Sequence, residues 1–173
     1  MGAYALDVYD EKLGKAESFD EALDFLSDFT EDMGYTQVLY AYQPFSPRLP
    51  DGDWIPLKLN VRNFPAGWER EWEAFGSFDP YYRACFEGTL PIDWTDIQGR
   101  EHLHPLERQA WRYLADMGLG NGCTIPVHLP GGRFAVVSAI LERSDRDWEG
   151  LLDDTRDTLF QLTHLFHETI QKK

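Results

Sequence analysis

Cys123-Thr-Ile-Pro-Val-His-Leu129, then Pro130-Gly131-Gly132, then Arg133-Phe-Ala-Val-Val-Ser-Ala-Ile-Leu-Glu142 is the stretch that decides the fold. Two runs rich in branched and apolar residues, joined by a short glycine loop, predict an antiparallel hairpin. On its second strand Phe134, Val136 and Ser138 alternate onto one face. Downstream, residues 147–171 predict a long helix whose apolar stripe is Trp148, Leu151, Leu152, Thr155, Leu159, Leu162, Phe166 and Ile170. Upstream, residues 105–117 predict a helix that turns Leu106, Ala110, Tyr113, Leu114 and Met117 inward and stops at Gly118.

Nearer the start, Ser18 and Glu21 form a capping box that opens a helix over residues 18–33. Ala22, Leu23, Leu26, Phe29 and Met33 share one face, and Gly34 is placed to end it. Residues 35–43 alternate as a strand. Residues 54–60 are a second strand candidate, with Ile55, Leu57 and Leu59 on one side and Pro56 marking a sheet edge. Residues 44–53, rich in Pro, Ser, Asp and Gly, read as an extended loop. Pro65 opens a short helix over 66–75, and Asp79-Pro80 caps another over 81–86. The order predicts one α+β domain over residues 1–173, an α/β/α sandwich with a central antiparallel sheet flanked by helices.

The 173 residues carry a net charge of −14, which repels phosphate backbones and argues against DNA contact by this chain itself. The two cysteines, Cys85 and Cys123, lack zinc-type spacing and suit buried small groups in a reducing compartment. Met1 to Lys15 has no apolar core of a signal peptide, and no run reaches the length of a membrane span, so a cytoplasmic location is expected. Aromatic residues make up 14% of the chain, enough either to fill a core or to line an apolar pocket.

A second stretch bears on function: Asn63-Phe64-Pro-Ala-Gly-Trp68-Glu-Arg-Glu-Trp72, then Asp79-Pro80, then Leu90-Pro-Ile-Asp-Trp94. Taken singly, Trp68 and Trp72 are core aromatics, Asp79 is a helix cap and Ser138 a strand serine. In this order the set resembles the autoinducer-binding domain of LuxR-type quorum-sensing transcriptional regulators. That family carries a Trp, a Tyr four residues on, an Asp-Pro, and another Trp about fifteen residues after the Asp. Gly118-Leu-Gly-Asn-Gly122-Cys-Thr124-Ile-Pro-Val-His128 resembles the family's glycine-containing approach to a strand. The resemblance runs from the first predicted helix to the last.

What the resemblance implies is a sensor for an N-acyl homoserine lactone or a near relative, not an enzyme, with no cofactor beyond that signal. An indole only donates, so Trp68 suits the lactone carbonyl; a carboxylate only accepts, so Asp79 suits the amide N–H. Trp94 would pack by the head group, and Ser138 would donate to the amide carbonyl. Leu39, Ala41, Tyr81, Leu119 and Thr124 match further pocket-lining positions, and Phe134 and Val136 share the face of Ser138. The resemblance also implies a homodimer.

The chain departs from the pattern at three points. Trp72 stands where the family usually has Tyr, Phe64 where some members carry a second Tyr, and the spacing from Trp72 to Asp79 is about two residues short. The amide carbonyl thus lacks familiar donors, so Trp72 or Ser138 substitutes, or the ligand is a non-lactone signal such as a plant-derived one. The family's helix-turn-helix domain, through which DNA would be bound, does not follow Gln171. An isolated sensing domain is expected; the alternative is a short form that sequesters a full-length homologue. Other chemistry is weaker. His102 and His104 read as a solvated loop, His164 and His167 as flanks of a helix stripe, and Gly118-x-Gly120-x-Gly122 has the wrong helix–strand order for a dinucleotide site. No Gly-x-Ser-x-Gly elbow occurs, and a hydrolase acting on the lactone or amide is the least favoured reading.

Overall fold

The computed structural model describes residues 6–46, 50, 57–142 and 147–172. Its centre is a five-stranded antiparallel sheet in the order β2-β1-β5-β4-β3. The strands are β1 (Gln37–Gln43), β2 (Asn60–Arg62), β3 (Ile92–Asp93), β4 (Asn121–His128) and β5 (Phe134–Leu141). The hairpin expected around Pro130 supplies β4 and β5, and Gly131 and Gly132 take φ values of 77° and 79° in its loop. Side chains alternate across a strand, so each strand contributes one set to each face.

Val38, Tyr40, Cys123, Ile125, Val127, Ala135, Val137 and Ala139 form one face, beneath α1 (Leu6–Lys15), α2 (Phe19–Met33) and α7 (Trp148–Gln171). The opposite face lies under α3 (Glu69–Phe75), α4 (Pro80–Ala84), α5 (Trp94–Gln98) and α6 (Pro105–Asp116). The expected α/β/α sandwich is the architecture found. β4 and β5 are buried along nearly their whole length because helices cover both faces.

Polar bonds fix the first layer where apolar packing alone would let it slide. Tyr35 donates its hydroxyl to Thr155 Oγ1 at 2.7 Å, since Thr155 itself donates to Leu151 O. Tyr40 Oη sits 2.7 Å from His167 Nδ1. At the other end of α7, Trp148 Nε1 donates to Asp93 Oδ1 at 3.1 Å, and the same oxygen caps α5 through Thr95 N at 3.0 Å. One carboxylate therefore ties both helical layers to the β3 edge.

Several boundaries differ from expectation. α1 has no counterpart in the sequence reading, because it buries only Tyr9 and Leu13 and so shows too few apolar residues for a period. The Ser18 side chain accepts from Glu21 N as expected, while Glu21 Oε2 accepts from Glu17 N, one residue before the cap. The helix expected over 66–75 starts at Glu69, since Gly67 adopts φ +81° and breaks the first turn. The one expected over 81–86 is Pro80–Ala84. Of the strand expected over 54–60, residues 54–56 lie outside the described residues, and pairing with β1 begins only at Asn60, opposite Tyr40. Leu57 and Leu59 still pack inward; their alternation reports an apolar neighbour on one side, not a paired backbone. Most of the loop expected over 44–53 is likewise outside the described residues.

Gly122 faces Ile140 in the β4–β5 register, and the Trp94 indole lies directly on it. A Cβ at Gly122 would meet Trp94 ring atoms at 2.6 Å. Gly150, in α7, has nothing within 4 Å of its hypothetical Cβ. Gly122→Ala should therefore cost about 1–3 kcal/mol by overpacking, a fall in Tm of roughly 2–12 °C in a chain of this size. Gly150→Ala should raise stability by roughly 0.5–1 kcal/mol through helix propensity. Thermal melts of both variants check the pair, with near-UV circular dichroism following the displaced indole.

Candidate functional site

Between the sheet and helices α3 to α6 lies a hollow of about 40 Å³. Of the residues singled out in the sequence, Leu39, Phe64, Trp68, Trp72, Asp79, Tyr81, Trp94, Leu119, Thr124, Val136 and Ser138 line it. Ala41 and Phe134 do not; they lie further along the same sheet face, in an adjoining apolar cluster with Tyr82, Cys85 and Val136. Leu57, Leu59, Tyr82, Leu114 and Ile140 complete the wall. Their signal was present in the sequence as apolar periods: Ile140 continues the alternation of Val136 and Ser138, and Leu114 sits on the inward stripe of α6.

The sheet floor is built by register. Leu39 and Thr124 both pair with Ser138, one on each side. The two hydroxyls stand 2.7 Å apart, and Trp94 Nε1 donates to Thr124 Oγ1 at 2.8 Å. Only one hydroxyl proton is needed between Thr124 and Ser138, and the indole supplies its own. The other hydroxyl proton is left to donate into the hollow.

The Asn63 side-chain amide donates to Thr36 O at 3.3 Å and Glu31 Oε1 at 3.0 Å, holding its backbone at φ 65°. That turn brings Phe64 edge-on to Trp68, with ring centroids 5.0 Å apart. Tyr113 on α6 donates its hydroxyl to the Trp68 carbonyl at 2.6 Å and stacks on Trp72 at 6.4 Å. One tyrosine thus holds the Trp68 backbone and the Trp72 ring. Trp94 lies flat against Tyr81, centroids 4.1 Å apart and planes 4° apart. Tyr81 Oη accepts from Gln98 Nε2 at 2.9 Å, which leaves its own proton available.

Asp79 is both a cap and a wall. Its Oδ1 accepts from Tyr81 N at 2.9 Å and Tyr82 N at 3.2 Å, which starts α4. No described residue donates to its Oδ2, and none accepts from Trp68 Nε1 or Trp72 Nε1. Burial pushes the Asp79 carboxyl up to about 6, against the pull of the two backbone N–H groups, with Glu107 adding a smaller push upward. Burial likewise holds Tyr81 far above neutral pH, so it remains a neutral donor.

The arrangement is equipped to hold a small molecule by several donors and one acceptor. Ser138 is bonded to another hydroxyl, not to a base, and both cysteines are buried with their thiols pushed up by burial. His104 caps α6 by accepting from Leu106 N, and His164 bonds to Phe160 O. Among the described residues no group of three or more His, Cys, Asp or Glu could hold a metal ion, and no helix is long and apolar enough to cross a membrane.

Comparison with known proteins follows the same lines. In structure the chain is similar to the N-acylhomoserine lactone-dependent LuxR family transcription factor CepR2 of Burkholderia cenocepacia, with TM-score 0.75 and 18% identity, over 96% of this chain and 94% of that one. It is similar to Escherichia coli SdiA, with TM-score 0.70 and 15% identity, over 97% of this chain and 68% of that one. The ligand-binding domain of VqsR from Pseudomonas aeruginosa gives TM-score 0.57 and 19% identity, over 94% and 96% of the two chains. At these identities the likeness is one of fold. No curated protein matches the chain in sequence. The family profile described as "Autoinducer binding domain" matches residues 18–170, nearly the whole chain. The chain belongs to the autoinducer-binding domain family.

Proposed function

We propose that this domain senses an N-acyl homoserine lactone, enclosed between the sheet and helices α3 to α6. The observation that carries the proposal is Asp79 Oδ2 and the Trp68 indole N–H on the wall of one hollow, neither engaged by a described residue. An acceptor and a donor on one hollow, unengaged by the described residues, suit a molecule that carries both an N–H and a carbonyl. A lactone carbonyl accepts from Trp68, and the amide N–H donates to Asp79. The spare proton of the Thr124–Ser138 pair, or the Trp72 indole, answers the amide carbonyl in place of the family's tyrosine. CepR2, of the same fold, is described as dependent on an N-acylhomoserine lactone, and SdiA has been seen with octanoyl-rac-glycerol, so the fold also takes a lipid with hydroxyls in place of an amide. Retention of a carboxylate acceptor favours the amide-bearing ligand here.

A hollow of about 40 Å³ holds water-sized bodies, not a lactone with its tail. The walls must part as the ligand enters, so binding is coupled to repacking of α3 to α6 over the sheet. The domain itself binds and does not turn over its ligand. A cytoplasmic homodimer, with DNA gripped through a separate helix-turn-helix domain, completes the proposal.

Two outcomes are expected. Ligand at one hundred times its Kd adds about 2.7 kcal/mol of stability, a rise in Tm of roughly 5–11 °C for this chain length. Asp79→Asn keeps a capping oxygen but loses the charged acceptor, and should weaken binding tenfold or more. A thermal-shift panel of acyl homoserine lactones checks both; a folded protein that shifts with none of them excludes the lactone. The second concerns pH. The Asp79 carboxyl stands at about 6 when folded, above its ordinary value of 3.8. The free fold is therefore favoured by this group when it is neutral, and loses that contribution as pH rises through about 6. A ligand N–H needs the ionised form, so affinity should fall up to tenfold per pH unit below about 6. Calorimetry between pH 5 and 7.5 should show this slope in the wild type and its loss in Asp79→Asn.

A further inference from the structure

Trp94, Tyr81, Thr124 and Ser138 stand together at one end of the hollow. Trp94 on Gly122, stacked with Tyr81, closes that end, and the Thr124–Ser138 pair lies beside it. Away from it the wall is apolar: Leu39, Leu57, Leu59, Tyr82 and Val136. From Ser138 an apolar course runs along β5 past Val136, through the cluster that holds Leu39, Leu57, Leu59, Tyr82 and Phe134. That course ends at Phe134, which is 1% exposed and outside the hollow.

Phe134 is locked in place. Its ring lies 4.6 Å from Phe86, 5.5 Å from His128 and 6.0 Å from Tyr82. His128 Nε2 in turn donates to Cys85 O at 2.8 Å and Gly88 O at 3.0 Å, anchoring the wall to the segment after α4. No single rotamer change clears such a group.

We propose that Phe134 gauges the length of the acyl tail and restricts the site to short-chain lactones. The inference rests on the lactone-sensing function proposed above. From Ser138 to Val136 the strand advances about 7 Å. A zigzag chain of 1.52 Å bonds advances about 1.25 Å per carbon, so roughly six carbons fit before the ring is met. Longer tails must displace the aromatic wall. Phe134→Ala removes the ring and lets the tail continue along β5 under Tyr82, to roughly ten carbons on the same spacing.

The test is calorimetric titration of the whole chain with N-acyl homoserine lactones carrying four, six, eight, ten and twelve acyl carbons. In the wild type, affinity should rise about fourfold per added methylene up to roughly six carbons and then fall. In Phe134→Ala the optimum should move to about ten carbons, with Phe134→Leu between the two. If Phe134→Ala does not fold, Phe134→Leu alone decides: a folded variant with the wild-type optimum overturns the gauge. Wild-type affinity that climbs through twelve carbons also overturns it, while leaving lactone sensing intact. Failure of every lactone to bind wild type and variants alike overturns the sensing function itself, and the gauge with it.

Discussion

The register of β4 on β5 is the constraint from which the site follows. It sets Thr124 opposite Ser138 and Gly122 opposite Ile140. The first pairing places two hydroxyls 2.7 Å apart on an otherwise apolar face; the second leaves a bare patch of backbone on which an indole can lie. Trp94 uses both, resting on the glycine and donating to the threonine. A slip of β4 by one residue would send Thr124 to the face under α2 and α7, part it from Ser138 and break the floor. The glycine loop after Pro130 and the burial of both strands along nearly their whole length hold that register.

Above this floor the binding groups are positioned by structural duties they already have. Asp79 caps α4 with one oxygen, which fixes the other without a dedicated partner. Trp68 is held by its carbonyl, through Tyr113, and not by its indole. Each group is therefore oriented at its backbone end or by one of its atoms while its recognising atom is unengaged by the described residues. Preorganisation of this sort lowers the ordering cost of binding. It also stores a cost in the free protein, because a carboxylate in an apolar wall is disfavoured as an ion, which is why its carboxyl is pushed up.

The sandwich was legible because its main elements obey simple periods. The stripe of α7, the capped α2 and the hairpin around Pro130 announce themselves, and their order fixes the class. Trp68, Asp79, Trp94 and Leu39, which line the hollow, were singled out by the family resemblance, and Val136 and Ser138 were set on one face by alternation. What stayed hidden has physical reasons. α1 contributes two buried side chains and otherwise faces water, so it carries no period. Leu57 and Leu59 alternate like a strand because the hollow lies on one side of them, although β2 starts only at Asn60. The hydroxyl pair and its indole depend on cross-strand pairing, which no local pattern encodes. Phe134 shares a strand face with Ser138 yet does not line the hollow, because rings on α4 and the segment after it pack against it.

The smallness of the hollow joins these points. Its walls are nearly in contact, yet they carry polar atoms of Trp68, Trp72 and Asp79 that no described residue engages. Apolar closure lowers the free energy of the empty state, and the unpaired polar atoms raise it. A ligand that brings complementary polar groups and enough apolar surface to replace the wall-to-wall contacts relieves the second without forfeiting the first. Helices α3 to α6 are each 12 residues or shorter, while the longer α2 and α7 lie on the other side of the sheet, α7 held by Tyr35 and Tyr40 through Thr155 and His167. On the proposed function, adaptation to a ligand would fall on the α3 to α6 layer, with the register of the sheet kept.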